Sequence, residues 1–585
     1  MKGFLKYFLA SFLAILLALL AIFLLGLGSF SALFSSKPEV IKLKPNTVLV
    51  VDLNKPITDR TIDSPFDVSS LQGFGMGSSI GLYEVVNNLQ KAAEDPDISG
   101  VLILTGQQAN GLSSLDEIRN ALAKFKESGK FVFAYSNIYS QGSYFVASVA
   151  DKVFLNPLGI LEFRGLRAET MFYKEALDKI GIDMQIIRQG RFKAAVEPFQ
   201  QQSMSPENRE QLDAYLQAIW NRIITAVGES RDLTAEQLNL IADQWSGRSP
   251  EGAVKAGLVD SLLYEDQVQD LLKELTNTKS TAKLSTVSIS KYTNAASTAK
   301  EDYTADRIAV IYGTGSIAME STGPQSIGAN LAKTIQKARL DKKTKAIVFR
   351  VNSPGGDALA SEVIRREVEL AAQEKPVIIS MGDLAASGGY WISTPGSKIV
   401  AGPTTLTGSI GAFGMIPNAE KLLKDKIGLT IDGVQTNELA GAGTIFRPLT
   451  EAERALFMDQ LKQTYSSFLN QVSKFRKMPV EEVDRIGEGR IWAGVTAKEL
   501  GLVDEIGGLH DAIRLAASEA GLATWRVREM PQLKDPINQI IESLMGKSSP
   551  EEELLTRHIP IIQDIKEMIN SGRMQARLPY RIEVY

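Results

Sequence analysis

The feature that most constrains this chain is that it repeats itself. Leu89-Gln90-Lys91-Ala92 runs ahead of the apolar stretch Val101-Leu102-Ile103-Leu104, and Ile335-Gln336-Lys337-Ala338 runs ahead of Ile347-Val348-Phe349, at an offset of 246 residues. The offset continues without a gap. Asp95 meets Asp341, Ile118 meets Ile364 and Arg119 meets Arg365; Gly142-Ser143-Tyr144-Phe145 meets Gly388-Gly389-Tyr390-Trp391. Lys152-Val153 meets Lys398-Ile399, Pro157 meets Pro403 and Gly165 meets Gly411. Near the end of each copy, Gly257-Leu258-Val259-Asp260 returns as Gly501-Leu502-Val503-Asp504 with a slip of two. Chance similarity does not keep register over so long a stretch, so the chain is a duplication.

Each copy reads as α/β. In the second, Ala346–Val351 and Val377–Met381 are short continuous apolar runs, the pattern of parallel strands covered on both faces. Between them Ala360, Val363, Ile364, Val368 and Ala371 keep helical spacing, with Glu362, Arg365, Arg366 and Glu369 assigned to the other face. Leu115, Ile118, Leu122 and Phe125 mark the equivalent helix of the first copy. Strand, glycine turn, helix, strand is a βαβ unit, whose crossover is right-handed. The copies are expected at 45–275 and 307–528. The Ser-, Thr-, Ala- and Lys-rich stretch 276–306 is expected to be a linker and 529–585 a C-terminal tail, with amphipathic spacing around Ile537–Met545 and Ile559–Ile569.

Ahead of the first copy, Lys2 and Lys6 precede an apolar run from about Tyr7 to Phe34, with no charge until Lys37. About 20 such residues span a bilayer, so residues 1–38 are expected to form a cytoplasmic stub and one transmembrane helix. The two lysines would keep the short N-terminus inside and put the rest on the periplasmic or extracytoplasmic face. The alternative is a cleaved signal peptide ending near Ser31-Ala32, but its apolar core normally has only about 7–15 residues. A net charge of −4 with both signs mixed offers no basic field for nucleic acid. The chain has no cysteine and two histidines, His510 and His558. That excludes disulfides, Cys-ligated zinc and Cys nucleophiles, and leaves little room for a Ser-His-Asp triad or a His-rich metal site.

The two copies differ in a patterned way. After its first apolar run the second carries Asn352-Ser353-Pro354-Gly355-Gly356-Asp357, where the first has Gly106-Gln107-Gln108-Ala109-Asn110-Gly111. Adjacent glycines ahead of a helix can aim N–H groups at a phosphate or at the oxyanion of a tetrahedral intermediate, or can simply make a turn. The next run ends in Ala385-Ala386-Ser387-Gly388-Gly389, where Gln141 occupies the place of Ser387. Ser387 is either a nucleophile flanked by small residues or a helix cap. A nucleophilic serine needs a base, and with the histidines outside any glycine-rich setting, lysine becomes the candidate. A free lysine is neutral only about once in 2,500 molecules at pH 7, so a basic lysine must be buried among apolar groups. Lys193 sits in Phe192-Lys193-Ala194-Ala195-Val196-Glu197-Pro198-Phe199, and near the matching position the second copy reads Glu438-Leu439-Ala440. Lys193 is otherwise an ordinary surface lysine. What singles it out is complementary loss: one copy keeps the lysine and the other keeps the serine.

These residues resemble the signal peptide peptidase A family, also called protease IV (peptidase family S49), in its long tandem-repeat bacterial form. The resemblance rests on Asn352-Ser353-Pro354-Gly355-Gly356, Ala386-Ser387-Gly388-Gly389-Tyr390-Trp391, Thr407-Gly408-Ser409-Ile410-Gly411 and the Lys193 segment, and extends from the anchor to about residue 525. It implies two Clp/crotonase-like repeats, Ser387 as nucleophile and Lys193 as general base. Gly355, Gly356 and Gly388 would be oxyanion donors and Ser409 a supporting hydroxyl. It further implies homotetramers in the inner membrane that degrade signal peptides left there after secretion, with no metal or organic cofactor. Rival readings are a crotonase-like acyl-CoA enzyme and a non-catalytic membrane scaffold.

Overall fold

The computed structural model describes residues 41–61, 79–106, 110–295, 305–321 and 326–531, and the strand Met574–Arg577. Among them no helix is long and apolar enough to cross a membrane. The expected anchor at 1–38 lies outside the described residues, as do both amphipathic stretches of the tail.

Each copy is built on its own sheet. In the first, the strands run in the order Ser261–Leu262, Lys152–Leu161, Phe131–Tyr139, Ile98–Leu104, Thr47–Asp52 and Thr286–Ser288, every pair parallel. In the second the central order is Leu406–Gly408, Val377–Ala386, Thr344–Ser353, Arg307–Thr314 and Arg526–Met530, again parallel, with Ile491–Ala493 antiparallel at one edge. The apolar runs are continuous because both faces of these sheets are buried. Ile347, Phe349, Val351, Ile379 and Met381 pack to one side; Ala346, Val348 and Ile378 pack to the other, under Leu509, Ala512 and Ile513 of the helix Leu509–Glu519.

Two expectations need correction. The stretch 276–306 is not a bare linker, because Thr286–Ser288 adds the edge strand to the first sheet and Tyr292 is buried beneath it. On the helix Ala358–Glu374, Ala360, Ile364, Val368 and Ala371 are buried as expected, but Val363 is 40% exposed while Arg365 and Glu369 are buried. The 26-residue helix Glu451–Arg476 explains this. Arg365 pairs with Glu369 at 3.0 Å, and Glu369 also takes Lys474 of that long helix at 2.6 Å, so a charged pair lies between the two helices.

The copies are locked together by buried charge. Arg350, fully buried on the second sheet, reaches Asp59 (2.9 Å) and Glu117 (2.9 Å) of the first copy, while Asp383 accepts the Ser114 N–H and hydroxyl at 2.9 and 2.7 Å. A third sheet crosses the join. Asp183–Gln189 of the first copy pairs antiparallel with Ala412–Asn418 of the second. Beyond that lie Met574–Arg577, then Gly355–Asp357, Ser316–Ala318 and Ser326–Gly328.

Candidate active site

Parallel sheets place functional residues at the carboxyl ends of their strands, and Ser387 follows the last residue of the strand Val377–Ala386. It is fully buried and has φ 57° and ψ −117°, a backbone conformation that costs about 1–3 kcal/mol in a residue with a side chain. Its N–H is held by the Gly408 carbonyl at 2.8 Å. Ser387 stands at the start of the helix Gly388–Ser393, yet its side chain makes no capping bond. The hydroxyl is turned elsewhere.

It is turned toward Lys193. The strand Asp183–Gln189 carries the first copy's chain along Ala412–Asn418, and the Lys193 segment follows directly, ahead of the short turn Ala194–Val196. A clasp holds the segment down. Phe192 N–H donates to the Glu488 carbonyl (2.9 Å), Gly489 N–H to the Ile410 carbonyl (2.7 Å) and Ser409 N–H to the Arg490 carbonyl (2.6 Å). Gln211 of the first copy donates to the Phe192 carbonyl and accepts from Ile491 N–H. Gly489 has to be glycine. Its φ is 81°, and a Cβ there would lie 2.6 Å from the Lys193 backbone N and Cβ. The Gly487-Glu488-Gly489-Arg490 clasp and Gln211 were not singled out from sequence; the paired glycines were the signal available.

Lys193 Nζ lies 2.6 Å from Ser387 Oγ, 2.9 Å from Ser409 Oγ and 3.1 Å from the Ser409 carbonyl. Burial pushes its pKa well below the ordinary lysine value, and no carboxylate opposes that shift. The nearest acid in sequence, Glu197, is buried but committed to Ser205 Oγ (2.5 Å) and Asn208 Nδ2 (3.0 Å). Just beyond Lys193 in the chain, Ala195, Val196 and Phe199 pack with Ile186 and Phe413 in one buried apolar cluster. A neutral amine has two N–H bonds and one lone pair. Both N–H groups can go to Ser409, which leaves the lone pair for the Ser387 proton.

The glycines sit beside this pair. The strands Thr344–Ser353 and Val377–Ala386 stay paired as far as Ser353 opposite Ala385, so the glycine strand and the Ser387 turn leave the sheet together. Gly356 also requires glycine, since a Cβ would lie 2.0 Å from the Ile317 carbonyl oxygen. Gly355 N–H is given to Ser353 Oγ at 3.1 Å. Gly388 is the first residue of its helix, where an N–H has no acceptor within the helix. Of the histidines, His510 stacks on Tyr83 and its Nε2 meets the Tyr83 carbonyl at 3.1 Å, while His558 lies outside the described residues.

A family model described as Peptidase family S49 matches residues 124–279 and 369–523, one stretch in each copy. Protease 4 of Haemophilus influenzae is 37% identical over 78% of this chain and 76% of its own length. Protease 4 of Salmonella typhi is 36% identical over 85% and 82%. A chloroplastic serine protease SPPA of Arabidopsis thaliana is 32% identical over 87% and 74%. With two matched repeats and relatives alike over most of their length, this chain belongs to peptidase family S49 and is a serine-type endopeptidase.

Proposed function

We propose that Ser387 is the nucleophile and Lys193 the general base of a dyad divided between the two copies. The observation that carries this is the 2.6 Å approach of Nζ to Oγ in a buried site where desolvation alone sets the lysine. Neutral Lys193 takes the Ser387 proton as Oγ bonds to the scissile carbonyl carbon. The ammonium then returns that proton to the leaving amine as the C–N bond breaks. Water then gives a proton to Lys193 as its oxygen adds to the ester carbonyl, and the ammonium returns that proton to Ser387 Oγ as the C–O bond to the enzyme breaks. The developing oxyanion lies between the two glycine turns, with Gly388 and Gly356 as donors, and with Gly355 as a third once its N–H leaves Ser353 Oγ; one such donor is worth about 3–4 kcal/mol.

Each repeat is read as Clp/crotonase-like. The substrate class, signal peptides remaining in the inner membrane after secretion, follows from the motif resemblance. It fits an anchor at residues 7–34 that would hold the site at the extracytoplasmic face. Homotetrameric assembly is supported by the duplication. The first copy's Asp183–Gln189 pairs with the second copy's Ala412–Asn418. The counterparts of these two segments, about 429–436 and 166–172, form no strand, and Leu429, Ile431, Val434 and Met171 are exposed. A second copy adding one to the other repeats the internal contact head to tail, which closes into a ring when the rotation allows. Light scattering on the detergent-purified chain should read four copies.

The test of the dyad is a fluorophosphonate probe on the purified protein, followed by peptide mapping. Ser387 should carry the label, and Ser387→Ala should lose both label and peptidase activity. Unchanged cleavage in Ser387→Ala would sink the assignment.

A further inference from the structure

Arg490 touches both halves of the site at once. Its guanidinium carbon lies over the Phe192 ring, 4.7 Å from the centre, and Phe192 is the residue before Lys193. The same carbon lies over the Trp492 ring at 4.5 Å. Trp492 in turn packs on Gly408: a Cβ on Gly408 would lie 2.8 Å from the indole Cδ1, and the Gly408 carbonyl holds the Ser387 N–H. The Arg490 carbonyl accepts the Ser409 N–H, so the arginine's backbone holds the residue that supports the amine. One planar cation thus joins the serine side of the site, from the second copy, to the lysine side, from the first.

Stacking is what holds the guanidinium. Its Nη1 does reach Glu210 at 2.8 Å, but the Glu210 side chain is 57% exposed, and ion pairs so placed are weak. Nε is buried and meets no acceptor among the described residues. A flat, weakly hydrated cation over two rings suits arginine and not lysine. Its charge does not set the amine. Burial alone depresses the Lys193 pKa, and the charged groups nearest to Lys193 in the chain pair with one another or with the clasp: Arg188 with Glu197 at 3.7 Å, Arg191 with Glu488 at 2.6 Å.

We propose that Arg490 is a positioning residue for the dyad: stacked on Phe192 and Trp492, it fixes Lys193 Nζ against Ser387 and Ser409 and keeps water from the amine. The inference rests on the dyad reading above and adds to it the side chain that registers one copy's lysine on the other copy's serine.

The experiment measures kcat, KM and the rate of fluorophosphonate labelling at Ser387 across pH for the unaltered chain, Arg490→Met and Arg490→Lys. Met keeps an apolar stem and Lys keeps the charge, but neither has a plane to stack. Both should lower kcat about 10–100-fold with KM unchanged, because a displaced base costs rate and not substrate binding. In both, the acid limb of labelling should move up by about one pH unit, because an amine reached by water regains part of its ordinary pKa. Phe192→Leu keeps apolar bulk beside Lys193 and takes one ring from the stack. It should raise the limb in the same way, and it carries the test should the Arg490 variants fold poorly. An unmoved limb and kcat in Arg490→Met, even with a lower melting temperature, would overturn the proposal while leaving the dyad standing. Full activity in Arg490→Lys would also overturn it, by making charge the working property. A Ser387 that takes no label in the unaltered chain would instead overturn the dyad.

Discussion

The two copies place the same turn at corresponding points of their two sheets and do opposite things with it. In the second, Ser387 is held at a strained positive φ, makes no cap and faces an amine. In the first, the helix Gln141–Ala147 starts one position earlier and Ser140 caps it, accepting the Ser143 N–H, while Gln141 at the position of Ser387 is simply its first residue. Gln141 is fully buried, and its Oε1 accepts N–H bonds from Arg164 (3.1 Å) and Gly165 (3.0 Å). Where Ser409 supports the lysine, the first copy has Phe163, its ring against Tyr144 and Trp220. The same backbone frame thus carries a strained turn facing a buried amine in one copy and a stapled, apolar turn in the other. On the dyad proposed above, the difference names three requirements of reactivity: backbone strain, a buried amine and the polar partners that orient it.

The sharpest way to break the comparison is to remove the amine. Lys193→Met should lower kcat/KM by about 10²–10⁴, the range for loss of a general base. In the unaltered enzyme kcat/KM should fall as pH drops through the lysine's depressed pKa. Stability should move the same way. Below the free lysine value of about 10.4 the unfolded chain binds a proton that the folded site resists, so folding is disfavoured there and improves as pH rises. Lys193→Met should therefore melt higher than wild type at pH 7, with the gap closing toward pH 10. A lower melting point at pH 7 would mean that the amine is charged and paired.

Much of the fold could be read in advance because duplication doubles every signal. Leu115, Ile118, Leu122 and Phe125 and their counterparts at Ile364 and Val368 face the core as helical spacing requires. What escaped was set by distant packing. Val363 faces solvent and Arg365 is buried only because the helix Glu451–Arg476 covers one flank, and no periodicity within 358–374 reports that neighbour. Thr286–Ser288 looked like linker because an edge strand of three residues is too short to alternate visibly. At the site, complementary loss singled out Ser387 and Lys193, 194 residues apart, and the structure brings them within hydrogen-bond reach. The clasp at 488–490 was invisible for the opposite reason. It works through backbone groups, which every residue has, and its partner Gln211 lies 280 residues from the Ile491 N–H it accepts.

Ser409 separates the two sites more finely. Ser409→Ala removes one oxygen that accepts from Lys193 and should lower kcat about tenfold, the rate equivalent of one hydrogen bond of about 1.4 kcal/mol. The acid limb of the pH profile should shift downward, because an ammonium with fewer acceptors is less stable and the amine stays neutral to lower pH. A rate loss with no shift of that limb would make Ser409 a packing residue.

The smallest effect on activity should come from restoring the missing serine. Gln141→Ser rebuilds the hydroxyl in the first copy, but the chain near Leu439 and Ala440, where an amine would have to come from, is a loop with Leu439 exposed and no lysine at either position. The new serine should take no fluorophosphonate label, and turnover at Ser387 should be unchanged. The measurable consequence should be structural: the Arg164 and Gly165 N–H groups lose the oxygen that accepts them, costing about 1–3 kcal/mol of stability. A label on residue 141 would show that the turn alone can activate a serine, and the contrast between the copies would then reduce to a single side chain. A fall in melting temperature without label places reactivity in the lysine, which the first copy supplies to its neighbour, and in the clasp by which the second copy holds it.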